Sequence, residues 1–392
     1  MMDDGGDWMN AGGLERRLIE IRRHLHQYPE LSKEEFETTK SIQKWLQEKG
    51  IPIRETNLRT GVFADIIGKH PGPIVAIRAD IDALPIEEQT GFAYASKNKG
   101  KMHACGHDFH TTAVIGAAYL LKESQSELHG TVRLLFQPAE ETGWGAQYVM
   151  KDGQLQGVEA IIGLHNKPDL PVGTIGVKEG PLMAAVDRFD ILIRGKGSHA
   201  AKPHMGKDPI ATSAQLITAL QNIVSRHTSP LQSAVVSVTK IGGGNTWNVI
   251  PGEVKLEGTV RTFDLSIRET VKEQMNQIVE HVATAFSQDA TITWSPGPPP
   301  LMNDEKITKI LRETAESQSL RVVHPELSMA GEDFASYLQV VPGSFVFFGT
   351  EGKEDWHHPS FTLDERAIVK AATFLSEGAK RLTKMNCKQQ TY

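Results

Sequence analysis

A cysteine set among imidazoles is the first chemically loaded feature of the chain. His103-Ala104-Cys105-Gly106-His107-Asp108 brings thiolate, imidazole and carboxylate into one short stretch. Cys105 and His107 are two positions apart, so both can face one side of an extended segment. Further donors recur along the chain. Arg78-Ala79-Asp80-Ile81-Asp82 offers carboxylates, as does Gln137-Pro138-Ala139-Glu140-Glu141; His165 adds an imidazole and His357-His358 a pair. These are the side chains that hold transition metals. Singly, each has an ordinary explanation: a free cysteine is usually a small buried hydrophobe, and a Glu-Glu pair is usually a solvated face. Together they are harder to dismiss. Several stand at the carboxyl ends of apolar, strand-like runs, where open α/β sheets bind their ligands.

The Glu pair has its own logic. Neighbours in an extended segment face opposite ways, so Glu140 and Glu141 are expected to divide the work. One holds metal, and the other faces the substrate as general base on a metal-activated water. Two metals about 3.5–4 Å apart polarise a carbonyl and lower the pKa of the attacking water. The chemistry so described is metal-assisted hydrolysis of an amide.

The elements that must position these residues alternate between strand and helix. Val62–Ile67, Ile74–Ile77, Thr131–Phe136, Ala160–Leu164 and Phe345–Phe348 read as strands. Helices are expected near residues 14–28, at 32–49 with Ser32 and Glu35 as a capping box, at 110–123, near 145–150, at 304–318 and at 364–384. The alternation predicts an α/β layer with a largely parallel sheet. The texture changes near Gly180-Pro181. Strand Arg188–Arg194, a helix over 208–226, strands Ala234–Ile241 and Glu253–Phe263, a helix over 266–286 and strand Ala290–Trp294 make a βαββαβ unit with an antiparallel sheet. Pro296-Gly297-Pro298-Pro299-Pro300 reads as the hinge back. The expected division is therefore 1–180, 181–295 and 296–392, the middle part inserted into the first domain. Gly242-Gly243-Gly244 lacks the lysine and following helix of a phosphate loop and reads as a turn between strands.

Composition narrows the class. The 392 residues are 39% hydrophobic and 23% charged, enough for a sizeable core and unlike a disordered chain or a disulfide scaffold. The net charge of −6 gives no basic excess for nucleic acid or an anionic membrane. No apolar run approaches the roughly 18 residues of a membrane span. Met1–Gly13 is acidic and glycine-rich and does not read as a signal peptide. Cys387 lies in a polar tail and Cys105 among histidines, so no structural disulfide is expected, and a reduced, cytoplasmic protein is.

The motifs Arg78-Ala79-Asp80-Ile81-Asp82-Ala83-Leu84-Pro85, His103-Ala104-Cys105-Gly106-His107-Asp108-Phe109-His110, Phe136-Gln137-Pro138-Ala139-Glu140-Glu141, Gly163-Leu164-His165 and His357-His358-Pro359-Ser360-Phe361 occur in one order over nearly the whole chain. In that combination the sequence resembles the dinuclear metallopeptidase and aminoacylase family, and within it bacterial N-acyl-L-amino acid amidohydrolases, hippurate hydrolases and plant auxin-conjugate hydrolases. The resemblance implies a zinc-peptidase-like catalytic domain with an inserted α+β dimerisation and lid domain. It implies two divalent metal ions per subunit, held by Cys105, His107, Glu141, His165 and His357, with Glu140 as general base. Cys105 stands where many relatives carry a bridging Asp. Asp80 stands where those relatives carry a His ligand, and Asp82 is expected to orient ligands from behind. In the inserted part, Gly197-Ser198-His199-Ala200-Ala201-Lys202-Pro203-His204, Asn248-Val249-Ile250-Pro251 and Gly258-Thr259-Val260-Arg261 match further family segments. They imply His199 as a donor to the tetrahedral oxyanion, Asn248 as a substrate contact and Arg261 as the grip on a carboxylate.

The expected activity is hydrolysis of N-acetyl or N-benzoyl type N-acyl L-amino acids to a carboxylic acid and a free amino acid. The expected partners are that small substrate and a second copy of the chain, met through the inserted domain. Whether His199 then serves its own subunit's site or its partner's stays open. An N-acetyl-diaminopimelate-type deacetylase and a dipeptidase or exopeptidase would use the same site. A metal-binding or assembly protein without catalysis would have no need of Glu140. The thiolate favours zinc; relatives also work with manganese or cobalt, and the sequence leaves the ion open.

Overall fold

The computed structural model describes residues 11–385; the first ten residues of the acidic start and Cys387 lie outside them. The chain opens with helices α1 (Ala11–Gln27) and α2 (Phe36–Glu48) and strands β1 (Val62–Ile67) and β2 (His70–Asp80). Then come α3 (His107–Glu123), β3 (His129–Gln137), α4 (Gly145–Lys151), β4 (Val158–Lys167) and the short β5 (Thr174–Gly176). The middle of the chain forms β6 (Ala185–Arg194), α5 (Pro209–Asn222), β7 (Ala234–Gly242), β8 (Glu253–Thr262), α6 (Leu265–Ala285) and β9 (Asp289–Pro296). The return comprises α7 (Glu305–Ser317), β10 (Arg321–Val323), α8 (Phe334–Tyr337), β11 (Gly343–Gly349) and α9 (Ala367–Thr383).

Two compact units result. One holds Met1–Gly180, Met302–Glu326 and Asp333–Tyr392; the other holds Pro181–Leu301 and Leu327–Glu332. The second unit runs past residue 295, and it takes in a late segment that no composition shift marks. Among the described residues no helix is long and apolar enough to cross a membrane.

The first unit is built on a seven-stranded sheet in the order β1-β3-β2-β4-β11-β5-β10. The central pairs β3–β2, β2–β4 and β4–β11 run parallel, while β1 lies antiparallel on β3 at one edge. Period-two alternation sorts the side chains. Val75, Ile77, Ala79, Val132, Leu134, Phe136, Ile162, Leu164, Val346 and Phe348 join a core with α1, α3 and α9. The opposite parity carries Arg78, Asp80, Gln137 and His165 at the carboxyl ends of the same strands. Helix α3 is buried almost all round. It passes so close to its neighbours at Gly116 that a Cβ there would stand 2.7 Å from both Ala372 and Leu18.

Several elements differ from the sequence reading. Helix α2 begins at Phe36, not Ser32, because both proposed capping side chains are engaged elsewhere: Ser32 Oγ donates to Asp82 and the Glu35 carboxylate accepts from Ala139 N–H. Helix α3 begins at His107, three residues early. Strands β5 and β10 went unforeseen because three residues carry no measurable period.

The second unit is a four-stranded antiparallel sheet in the order β9-β6-β8-β7. Phe189, Ile191, Ile193, Val254, Leu256 and Val260 form its core with α5 and α6 residues such as Leu216, Leu220, Val271, Met275 and Val279. Buried Asp187 is neutralised by Arg268 at 2.7 Å and Lys272 at 3.2 Å.

In the first unit a buried ion network ties three elements together. Arg22 of α1 donates from Nε to Asp108 Oδ2 of α3 at 3.1 Å and from Nη1 to Glu365 Oε1 at 3.1 Å. His26 meets Asp108 at 2.8 Å and Glu88 at 3.1 Å. Asp108 is held far below the usual carboxylate range: burial opposes its charge, but Arg22 and His26 overcome it. Arg22→Ala leaves that carboxylate buried without its guanidinium and should cost about 3–5 kcal/mol of stability. Urea unfolding would read this as a lower midpoint at an unchanged m-value; an unmoved midpoint would show that the pair adds no net stability.

Candidate metal centre

The turn that carries the thiol is possible only because of its glycine. Gly106 has φ of 80°, and a Cβ on it would stand 2.4 Å from the Asn166 amide nitrogen. The chain thus turns sharply after Cys105, and His107 becomes the first residue of α3. The His107 ring is oriented from behind: Nδ1–H donates to the Asp82 carbonyl at 2.9 Å. In the neutral ring Nε2 therefore carries the lone pair, as in a metal-binding imidazole. That atom is buried and has no hydrogen-bond partner among the described residues. His165 repeats the device, with Nδ1–H donating to Asn166 O at 2.9 Å and Nε2 standing 3.5 Å from Cys105 Sγ.

These ligand atoms belong to two overlapping sets. Cys105, His107 and His165 bring ligand atoms within 4.8 Å of one another, and so do Cys105, Glu141 and His357. Cys105 is common to both. His357 Nε2 lies 3.6 Å from Glu141 Oε1, and His107 Nε2 lies 3.8 Å from the same oxygen. Donors at 2.0–2.3 Å from a tetrahedral ion stand roughly 3.3–3.8 Å from one another. The spacing, the buried Nε2 of His107 and the soft-plus-borderline donor set all fit transition-metal ions. His357 reaches the set through a left-handed residue, φ 66°, pinned by its N–H to Ala104 O at 2.9 Å.

The electrostatics point the same way. Burial pushes the Cys105 thiol well above its ordinary range, and the Glu141 charge adds to it. Burial resists charge on His107, yet Asp80 and Cys105 raise its pKa well above the ordinary value. A region that stabilises imidazolium and resists thiolate is one of negative potential, and a bound divalent cation inverts that balance.

Glu140 and Glu141 do not lie in an extended segment. Glu140–Thr142 is a single 3-10 turn, entered through Ala139 at φ 60°. The two carboxylates consequently do not face opposite ways. Both approach His107 Nε2, at 4.0 Å for Glu140 and 3.8 Å for Glu141. They differ in their other neighbours: Glu141 groups with Cys105 and His357, while Glu140 Oε1 accepts the Asp333 N–H at 3.4 Å. Asp82 holds the turn, its Oδ1 accepting from Glu140 N–H at 3.1 Å and its Oδ2 from Glu141 N–H at 3.0 Å.

Asp80 lies beside His107 as well, with Oδ2 3.6 Å from Nε2. Its oxygens also meet Arg78 at 2.8 Å and His110 at 2.6 Å. Burial alone would protonate Asp80, but His107, His110 and Arg78 hold it well below the usual range. This surrounding network escaped the sequence reading. His110 Nε2 accepts from Asn166 N–H at 2.9 Å, and Asn166 Nδ2 donates to Cys105 O at 2.6 Å. Arg78 and Gln137 both donate to Asp333, at 2.7 and 2.8 Å. The signal for His110 lay in its spacing of three from His107 on one helix; for Asp333, in a loop far along the chain, there was none.

In the second unit, His199 and Asn248 are brought together. Val249 pairs with His199 in a two-residue ladder, and Ala200 N–H donates to Asn248 O at 3.0 Å. His199 Nδ1 accepts from Ala201 N–H at 3.0 Å, which puts the ring proton on Nε2, and the side chain is exposed. Arg261 stands apart, on β8. Its Nε donates to Thr259 at 3.2 Å and its Nη1 to Met329 O at 3.3 Å. Burial lowers its pKa, and among the described residues no carboxylate forms an ion pair with it. Asp264, three residues on, instead caps α6 by accepting from Ser266 and Ile267 N–H at 2.7 and 3.1 Å.

Known proteins share this architecture. An N-acetyl-L-cysteine deacetylase of Bacillus subtilis is 63% identical over 96% of this chain and 91% of its own length. An IAA-amino acid hydrolase of Arabidopsis thaliana is 38% identical over 97% of this chain and 86% of its own. Among solved structures, a dinuclear metal-binding peptidase of the M20 family from Bacillus subtilis is 49% identical, with a TM-score of 0.88 over 96% of this chain and 100% of that one. The model of peptidase family M20/M25/M40 matches residues 76–381. The chain therefore belongs to that family, as a metal-dependent amidohydrolase that works with two divalent metal ions.

Proposed function

We propose that the protein deacylates N-acyl L-amino acids, N-acetyl compounds first among them, releasing the free amino acid. The observation that carries this reading is the pair of donor sets sharing Cys105, with the Glu140 carboxylate beside them. Cys105, His107, Glu141, His165 and His357 would hold the ions. The thiolate favours zinc among the candidates. When bound, the two cations supply Lewis acidity, polarising the scissile carbonyl and lowering the pKa of the attacking water.

The protein's own groups do the rest. Glu140 takes one proton from the attacking water as its oxygen adds to the carbonyl carbon. It delivers that proton to the amide nitrogen as the C–N bond breaks, so the products are a carboxylic acid and an amine. His199, protonated on Nε2, donates to the oxyanion, and Asn248 lies beside it in the turn before the adjoining strand. Arg261, with its fork unpaired by any carboxylate of its own unit, reads the substrate's α-carboxylate. The relative named for N-acetyl-L-cysteine makes that compound the first substrate to try, beside N-acetylmethionine, hippurate and a dipeptide panel.

A homodimer through the second unit completes the proposal, in a reduced cytoplasmic setting. Strand β7 is an edge of its sheet, and an edge strand is a template for pairing with another copy. Apolar side chains are exposed nearby in the same unit, Leu231 at 95% and Ile241 at 56%.

Glu140→Gln should keep both ions and lower kcat by about 10²–10⁴-fold, whereas Glu141→Gln should lose metal; metal analysis of the two variants reads the difference, and the opposite pattern would reverse the roles. Arg261→Ala should cost about 2 kcal/mol, or roughly 30-fold in KM, on an N-acyl amino acid. The corresponding amide should be a poor substrate for the parent and lose little more. Equal cleavage of acid and amide by the parent would show that no carboxylate is read. Sedimentation should find a dimer. If His199 of the partner subunit completes each site, mixing inactive Glu140→Gln and His199→Ala chains should restore part of the activity. No recovery under proven subunit exchange would assign His199 to its own subunit.

A further inference from the structure

Ser32 and Glu35 have the spacing of a capping box, and neither caps α2. Both reach instead toward the turn that carries Glu140 and Glu141. Glu35 Oε1 accepts the Ala139 N–H at 2.8 Å, and Ser32 Oγ donates to Asp82 Oδ2 at 2.6 Å. Asp82 accepts the next two N–H groups, those of Glu140 and Glu141. Three successive backbone donors thus end on two buried carboxylates, Glu35 at 0% and Asp82 at 1% exposure.

The turn needs such holding. Ala139 sits at φ 60°, a conformation that is strained for a residue with a Cβ and persists only where its surroundings over-determine it. Successive N–H groups around a left-handed residue converge on an anion, and here the anions come from the protein. The segment bearing them is itself fixed. Leu31 bridges to Ala83, and Ala83 N–H donates to Glu30 O at 2.8 Å. Thr39 Oγ1 donates to the Glu35 carbonyl at 2.6 Å and accepts Gly61 N–H at 2.9 Å.

We propose that Ser32 and Glu35 form a clip that sets the Glu140–Glu141 turn, which makes Glu35 a positioning residue for the hydrolysis. It acts through the Ala139 peptide on the carboxylate that moves the proton, and a general base displaced by about 1 Å can lose 10²-fold in rate. The clip rests on the reading of Glu140 as that base. Its function needs an acceptor at the right reach and does not need a charge.

The test measures kcat, KM and bound metal on N-acetylmethionine, with the activating ion at saturation, for the parent, Glu35→Gln, Glu35→Asp, Glu35→Ala, Ser32→Ala and Glu140→Gln. Glu35→Gln keeps the acceptor and should stay near the parent. Glu35→Asp withdraws it by one methylene, and Glu35→Ala removes it; both should lose about 10–100-fold in kcat with KM nearly unchanged. Ser32→Ala should fall in the same direction by less. Full kcat in folded Glu35→Ala, or Glu35→Gln as slow as Glu35→Ala, overturns the clip. Should Glu35→Ala fail to fold, Glu35→Asp decides by the same criterion. Glu140→Gln separates the two readings: if it turns over normally, the base assignment falls, whereas an inactive Glu140→Gln beside a fully active Glu35→Ala removes the clip alone.

Discussion

Asp82 is the residue on which the candidate site turns. Its carbonyl takes the Nδ1–H of His107, its Oδ1 the N–H of Glu140, and its Oδ2 both the N–H of Glu141 and the hydroxyl of Ser32. One buried residue therefore sets the tautomer of an imidazole and the position of two carboxylates. These bonds to an ionised carboxylate are stronger than neutral ones, and burial at 1% exposure keeps water from competing. The Asp82 carboxyl is held below its ordinary range: burial opposes the charge, and His107 and Ser32 outweigh it.

Around that residue the first unit gathers a density of negative groups that an apolar core would not tolerate alone. Asp80 is met by Arg78 and His110, Asp108 by Arg22 and His26, and Asp333 by Arg78 and Gln137. Each of these carboxylates is matched by cations or donors brought from other elements. Ligand atoms of Glu141, His107, His165 and His357 gather around Cys105. Carboxylates neutralised from within build a rigid frame, and the donor set around Cys105 is electrostatically suited to divalent cations.

The second unit shows a different economy. Its deeply buried Asp187 is neutralised by Arg268 and Lys272. His199 sits in a main-chain ladder of only two residues, and Asn248 in the turn beside it accepts the Ala200 N–H. With so short a ladder, few other contacts have to break for this segment to move.

The sequence alone carried the chemistry and the layer order. Strand and helix periods, Cys105-Gly106-His107 and the terminal positions of Asp80, Glu140, His165 and His357 were legible because each depends on neighbours within a few residues. Three things needed the tertiary structure. The Glu140–Glu141 turn read as extended, since a left-handed Ala139 is stabilised by Glu35 and Asp82 from remote segments. Ser32 and Glu35 read as a cap, since only the packed chain brings Ala139 and Asp82 within their reach. Asp333 and Asn166 carried no local sign of their place, and short β5 and β10 had too few residues to show a period. Local pattern is written in contacts between near neighbours. Which acceptor finally satisfies a buried donor is settled only when distant segments compete for it in the folded core.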